Sequence, residues 1–108
     1  MTLLETLPIV DVASHVIEPR DLRTARLSKR YGDAVPQVVW DPEADEPRWK
    51  IGDAMLSAET EYAFAGWSEP FPSHPPTLED AHPACHDPRA RLAHLDNIGL
   101  FAEVLYPN

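Results

Sequence analysis

The chain of 108 residues is long enough for one domain. Its composition, 44% apolar and 25% charged, is that of a folded protein rather than a disordered one. The formal net charge of −9 argues against nucleic acid and anionic membrane surfaces as partners, because both attract clustered Lys and Arg. A single cysteine excludes an internal disulfide.

No targeting signal or transmembrane segment is recognisable in the sequence. The first residues lack the basic start and the apolar run of a signal peptide. No window approaches the ~18 continuous apolar residues of a membrane-spanning helix. We therefore expect a cytoplasmic protein that does not enter the membrane.

The first predicted element is a short strand at residues 9–13, which is apolar on both faces as strands of parallel sheets are. Side chains alternate along a strand, so Asp11, Ala13 and His15 are predicted to share one face. His15 then lies at the C-terminal end of the strand, where barrel enzymes keep their active sites. On these residues alone, a structural or surface role for His15 is the alternative to a ligand role.

The middle of the chain is predicted to be an irregular insertion that carries a β-hairpin. Two β-prone runs around a polar, Pro-containing link predict the hairpin at about residues 37–52. The charged segment 21–31 is compatible with a short surface helix. Half of the twelve prolines lie between Pro70 and Pro88, which predicts a loop over residues 67–86.

The clearest pattern predicts a helix at residues 88–98 and a second strand at 101–106. Asp87 stands at the N-cap position, a proline follows it, and a glycine ends the helix. Three apolar residues recur at three-residue steps and form one stripe: Leu92, Leu95 and Ile98. Arg91 lies beside this stripe, and we expect its aliphatic stem to cover apolar surface while its charge stays in water. A helix between two apolar strands is the crossover of a parallel sheet, so the predicted fold class is α/β.

A second group of metal-binding residue types occurs at His82, Cys85 and His86. Zinc takes Cys and His at short spacings, but a fourth ligand, His74, would have to come across a Pro-rich loop. A structural zinc is therefore the lesser alternative, and we expect solvent-facing loop side chains. No base and orienting residue can be named for Cys85 as a nucleophile. The sequence thus leaves the role of this group open and identifies no catalytic residue.

Three stretches in register resemble the amidohydrolase-related (amidohydrolase 2) family, which includes aminocarboxymuconate-semialdehyde and resorcylate decarboxylases. They are residues 11–19 (DVASHVIEP), 77–92 and 99–108. The resemblance implies the N-terminal portion of a TIM-like (β/α)8 barrel with an inserted hairpin. Members hold a divalent metal, often zinc, at the C-terminal ends of the barrel strands, and His15 matches the ligand histidine of the first strand. Ala13 stands where the family has an acidic or histidine ligand.

The resemblance further implies a metal-dependent hydrolase of C–N or C–O bonds, or a decarboxylase, that acts on a small organic substrate. A (β/α)8 barrel typically needs ~250 residues, and the later ligands of the family follow the second strand. We therefore expect residues 1–108 to form a partial amidohydrolase-related domain that is inactive alone. The alternative is a truncated remnant that only binds or oligomerises, or that has no function. Exposed parallel strand edges would then favour self-association.

Overall fold

A computed structural model describes residues 2–108, which form a mixed α/β structure with two sheets. The α-helices are α1 (Leu3–Thr6) and α2 (Pro88–Ile98). The strands are β1 (Val10–Val16), β2 (Gln37–Asp41), β3 (Glu46–Ile51), β4 (Ala54–Ala58) and β5 (Ala102–Pro107). Two 3-10 turns cover Lys29–Ala34 and Pro83–Cys85.

β1 and β5 pair in parallel, with α2 immediately before β5 in the chain. The pairing contains a bulge, because Asp11 lies opposite Glu103 while Ser14 lies opposite Leu105. Three residue steps on β1 therefore match two on β5, and one residue of β1 is extra. A bulge of this kind shifts the phase of side-chain alternation on the strand that contains it.

The insertion between β1 and α2 carries the second sheet, an antiparallel meander of β2, β3 and β4. The hairpin expected at residues 37–52 is present, with Asp41 opposite Glu46. β4 follows a turn at Gly52, whose φ of 57° suits glycine, and no sequence pattern had assigned this strand. Residues 21–27 form turns and not the surface helix that the sequence allowed. Isolated backbone hydrogen bonds, such as the one of 2.9 Å from the Ala25 N–H to the Asp21 carbonyl, stabilise these turns.

Helix α2 begins and ends where the sequence pattern placed it. Asp87 accepts bonds from the backbone N–H groups at positions 89 (2.9 Å) and 90 (3.4 Å), and Gly99 takes the left-handed conformation. The predicted apolar stripe is nevertheless only partly buried: Leu95 is 8% exposed, whereas Leu92 is 64% exposed and Ile98 is also exposed. The cause is the sheet beneath the helix, because two strands are too narrow to cover the whole stripe.

A small cluster of the buried core lies where the insertion meets the C-terminal end of β1. It contains four buried residues, with two partly buried ones against them: Ile17, Ala63, Ala81 and Cys85, then Ala65 and Leu78. The radius of gyration is 16.4 Å, against about 13 Å for a compact domain of similar length, and the principal extents are 57 × 29 × 19 Å. The molecule is therefore elongated. Neither of the two described α-helices has the length and apolar character needed to cross a bilayer.

Candidate functional site

His15 lies near the C-terminal end of β1, opposite Tyr106 of β5. Its Nδ1 atom is 3.0 Å from the carbonyl oxygen of Pro107. A carbonyl can only accept a hydrogen bond, so Nδ1 carries a proton, and in the neutral imidazole Nε2 is then the nitrogen with the lone pair. Metal-binding histidines are commonly oriented in this way, with the second ring nitrogen donating to a carbonyl or carboxylate. The geometry of His15 therefore fits a single metal ligand, or a base, that acts through Nε2.

The bulge in β1 separates Asp11 from His15. In the parallel register Asp11 is opposite Glu103 and Ser14 is opposite Leu105, and Glu103 and Leu105 share one face of β5. Asp11 consequently falls on the face of Ser14, and the expectation that it shares a face with His15 is wrong. The expectation assumed that side chains alternate regularly along the whole strand. The extra residue of the bulge interrupts that alternation.

Two tyrosines stand beside the imidazole of His15. The ring centroids of Tyr62 and Tyr106 are 6.0 Å and 6.1 Å from that of His15, with interplanar angles of 38° and 50°. Tyr106 comes from the neighbouring strand, whereas Tyr62 comes from the segment after β4. Sequence reasoning did not connect Tyr62 with His15, since no short-range pattern links two residues that the insertion brings together.

Asn108 holds the segment that carries Tyr62 against the end of β5. Its Oδ1 accepts from the Tyr62 backbone N–H at 2.9 Å, and its Nδ2 donates to the Glu59 carbonyl at 2.7 Å. The backbone N–H of Asn108 donates to Oε2 of Glu18 at 3.1 Å. One asparagine thus joins β5, the segment after β1 and the end of the antiparallel sheet at the same place.

Arg91 fixes the backbone beneath His15 from the helix side. Its guanidinium binds Glu103 with both Nε (2.7 Å) and Nη2 (3.1 Å), and Nη2 also donates to the hydroxyl of Ser14. Nη1 donates to the carbonyls of His15 (3.3 Å) and Ala84 (3.2 Å). Arg91 is only 6% exposed, so the expectation of a charge that stays in water is wrong. A buried carboxylate and two carbonyls satisfy the guanidinium instead.

A second ion pair, with one partner buried and the other partly exposed, braces the insertion. Glu59 is fully buried and binds Arg20, which also binds the exposed Glu79 at 2.7 Å and 2.9 Å. The hydrogen bond from Arg20 lowers the pKa of Glu79 to about 2, and the two carboxylates raise the pKa of Arg20. These contacts hold the loop around position 79 onto the end of the meander.

The His82, Cys85 and His86 group does not come together as a site. Cys85 is fully buried, and its thiol donates to the carbonyls of Ala63 (3.4 Å) and Ala65 (3.2 Å), so the expectation of a solvent-facing side chain is wrong for it. Burial raises the pKa of the Cys85 thiol. Nδ1 of His82 accepts from the N–H at position 84 at 3.0 Å and caps the second 3-10 turn. Both roles are structural.

A Thr–His–Glu arrangement is also present in the insertion. Nδ1 of His74 is 3.0 Å from the hydroxyl of Thr60, and Nε2 is 3.6 Å from Oε2 of Glu46. The hydroxyl of Thr60 donates to the Pro75 carbonyl, and the residue is 1% exposed. Nδ1 of His74 also lies 3.1 Å from that carbonyl, so it carries a proton and cannot take one from Thr60. The arrangement therefore does not activate a nucleophile.

Among residues 2–108, no three His, Cys, Asp or Glu side chains are grouped so that they could hold a metal ion. The described residues therefore do not form a metal site by themselves. A comparison with models of known protein families found no match, and a search of curated proteins found none either.

Proposed function

We propose that the chain contributes the first βαβ unit and one ligand, His15, to a metal-dependent enzyme of the amidohydrolase type. The enzyme would be a hydrolase or a decarboxylase of a small organic substrate, built on a TIM-like (β/α)8 barrel. The observation that carries the proposal is the position of His15 and the hydrogen bond of its ring. It lies at the C-terminal end of a parallel strand, with Nδ1 bonded to a carbonyl and Nε2 left as the coordinating atom.

The side of the sheet on which His15 lies supports the same proposal. In a (β/α)8 barrel the helices cover the outside and the active site faces the interior end of the strands. Ser14 and Glu103 bind Arg91 of α2, so their face of the sheet is the helix-covered one. His15 directly follows Ser14, and Tyr106 lies three residues beyond Glu103, so alternation places both on the opposite face.

A test of the ligand role uses Mn²⁺ as the probe, because this paramagnetic ion broadens the NMR signals of protons close to it. We expect the imidazole signals of His15 and the ring signals of its neighbour Tyr106 to broaden as Mn²⁺ is added to the purified chain. His15→Ala should abolish the broadening at Tyr106, while His86→Ala, a change at an exposed histidine, should leave it unchanged. Equal broadening at Tyr106 in the two variants would contradict the proposal.

A second candidate function is that of a binding or oligomerising piece. Parallel sheets are normally covered on both faces, but Val12 of β1 is 65% exposed and Phe101 before β5 is 73% exposed. Uncovered apolar surface of this kind favours association. Sedimentation velocity across a range of protein concentrations distinguishes this candidate, since it requires a mass that rises with concentration.

A further inference from the structure

A cavity of about 150 Å³ lies between the segment that follows β1 and the antiparallel meander. The apolar part of its lining is formed by Trp49, Ile51 and Leu56. The charged part of its lining is formed by Glu18 and Arg23. The cavity therefore combines an apolar wall with a polar end, which is the usual division of a small-molecule site.

The guanidinium of Arg23 contacts an aromatic ring but makes few hydrogen bonds within the protein. It lies over the ring of Trp49, 5.2 Å from the centroid, and this contact fixes its plane. A guanidinium has five N–H donors. In the described part of the chain, one hydrogen bond of Arg23 is formed, from Nη2 to Oε1 of Glu18 at 3.2 Å. Arg23 therefore has donor capacity to spare.

Glu18, by contrast, has partners on both oxygens. Oε1 accepts from Arg23, and Oε2 accepts from the backbone N–H of Asn108 at 3.1 Å. At the polar end, the hydrogen-bonding groups that the protein itself leaves without a partner are thus donors of Arg23, and a ligand that replaces water there must offer an acceptor. Glu18 and Arg23 together carry no net charge, so a ligand with one negative charge fits better than one with two.

We propose that this cavity binds a small monocarboxylate with an apolar tail. The carboxylate accepts from the free N–H groups of Arg23, and the tail lies against Trp49, Ile51 and Leu56. The fork of a guanidinium matches the two oxygens of a carboxylate, which favours this anion over a spherical one such as chloride. The proposal concerns a cavity on the meander and does not depend on the function proposed for His15.

The indole N–H of Trp49 offers a reporter for the test. This nitrogen is buried and has no hydrogen-bond partner among the described residues. Because this nitrogen is buried, its signal reports changes in the wall of the cavity and not direct contact with the ligand. In a ¹H–¹⁵N spectrum its signal can be assigned by its disappearance in Trp49→Phe.

The experiment titrates sodium butyrate into the full chain in the presence of a metal chelator. We expect a saturable shift of the Trp49 indole signal, and none with butyramide or with sodium chloride at equal ionic strength. Arg23→Gln should weaken the affinity roughly tenfold or more, because it removes a charge-assisted hydrogen bond. Arg26→Gln is the matched control and should leave the affinity unchanged, because Arg26 donates to the Leu22 carbonyl outside the cavity lining.

A second variant tests the cavity without altering its charge. Ser57 also lines the cavity, and Ser57→Leu should fill part of it and weaken butyrate binding while Arg23 stays in place. If circular dichroism shows that Arg23→Gln is unfolded, the Ser57→Leu result decides. Absence of a saturable shift, or unchanged affinity in a folded Arg23→Gln or Ser57→Leu protein, would overturn the proposal. Because the chelator removes metal, these outcomes are independent of the metal test at His15.

Discussion

At the scale of single residues, the guanidinium of Arg91 joins four parts of the chain at one point. It binds Glu103 of β5, Ser14 of β1, and the carbonyls of His15 and Ala84. A buried ion pair of this kind adds little net stability over an apolar pair, because both charges lose their hydration. Its contacts fix the position of α2 relative to both strands and to the second 3-10 turn.

We predict that Arg91→Met lowers the free energy of unfolding by about 3–5 kcal/mol, because it leaves the buried carboxylate of Glu103 uncompensated. Urea unfolding followed by circular dichroism measures the change. Arg89→Met is the matched control, an exposed position on the same helix, and should cost no more than about 0.5 kcal/mol. The double change Arg91→Met with Glu103→Leu should recover much of the loss. Equal stabilities of the Arg91 and Arg89 variants would contradict this account.

We predict that Glu79 makes the stability of the chain depend on acid pH. Its pKa is about 2 in the folded chain, below the ordinary value of 4.5, so the ionised form is stabilised by Arg20. The contribution is complete above pH 4.5 and is lost as the pH falls from there through about 2. The stability difference between the parent chain and Glu79→Gln should therefore shrink over that interval. Glu69→Gln, at an exposed position, serves as the control, and its difference in stability from the parent chain should not change over that pH interval.

At the scale of elements, α2 is well defined by its ends and weakly covered on its apolar side. Asp87 caps the first turn and Gly99 ends the last, so the bounds of the helix depend on local chemistry. Its packing depends on the two strands below, which bury Leu95 and leave Leu92 exposed. A groove between α2 and β5 remains, lined by residues that include Leu92, Leu95, Phe101 and Leu105.

We predict that Leu95→Ala costs about 2–5 kcal/mol of unfolding free energy, because it removes a buried side chain and leaves a cavity. Leu92→Ala is the matched control on the same helix and should change stability by about 0.5 kcal/mol or less, since that side chain is already in water. Thermal unfolding of both variants measures the difference. A similar loss of unfolding free energy in the two variants would mean that Leu92 is buried as well as Leu95.

At the scale of the whole molecule, the elongated shape and the small core leave the β1–β5 sheet as a scaffold with uncovered apolar surface. His15, the proposed metal ligand, lies at the end of this sheet. Catalytic zinc sites use three protein ligands and an open position, and no three suitable side chains come together among residues 2–108. The site proposed at His15 therefore needs ligands beyond those that these residues provide.

We predict accordingly that the purified 108-residue chain, supplemented with Zn²⁺ or Mn²⁺, shows no turnover of amides, lactones or aromatic carboxylic acids. Product formation followed by chromatography measures this. His15→Ala is the control for adventitious activity, and its background should equal that of the parent chain. Robust turnover that disappears in His15→Ala would show that one histidine and its surroundings suffice for a working centre.

The sequence by itself determined the elements whose signals are local. The cap at Asp87 and the stop at Gly99 fixed the bounds of α2, and the β-prone runs predicted the hairpin at 37–52, because capping and turn chemistry act within a few residues. It also placed His15 near the end of β1. The resemblance to the amidohydrolase-related family stays a prediction.

Only the tertiary structure decided which side chains meet. The bulge that moves Asp11 off the face of His15, the burial of Arg91 against Glu103, and the approach of Tyr62 to the imidazole all join residues distant in the chain or depend on pairing between strands. The periodicity of apolar residues describes one element at a time. It therefore cannot show that Glu103 of β5 supplies a carboxylate to the buried Arg91 of α2. The strand register, and the packing that follows from it, settled those contacts.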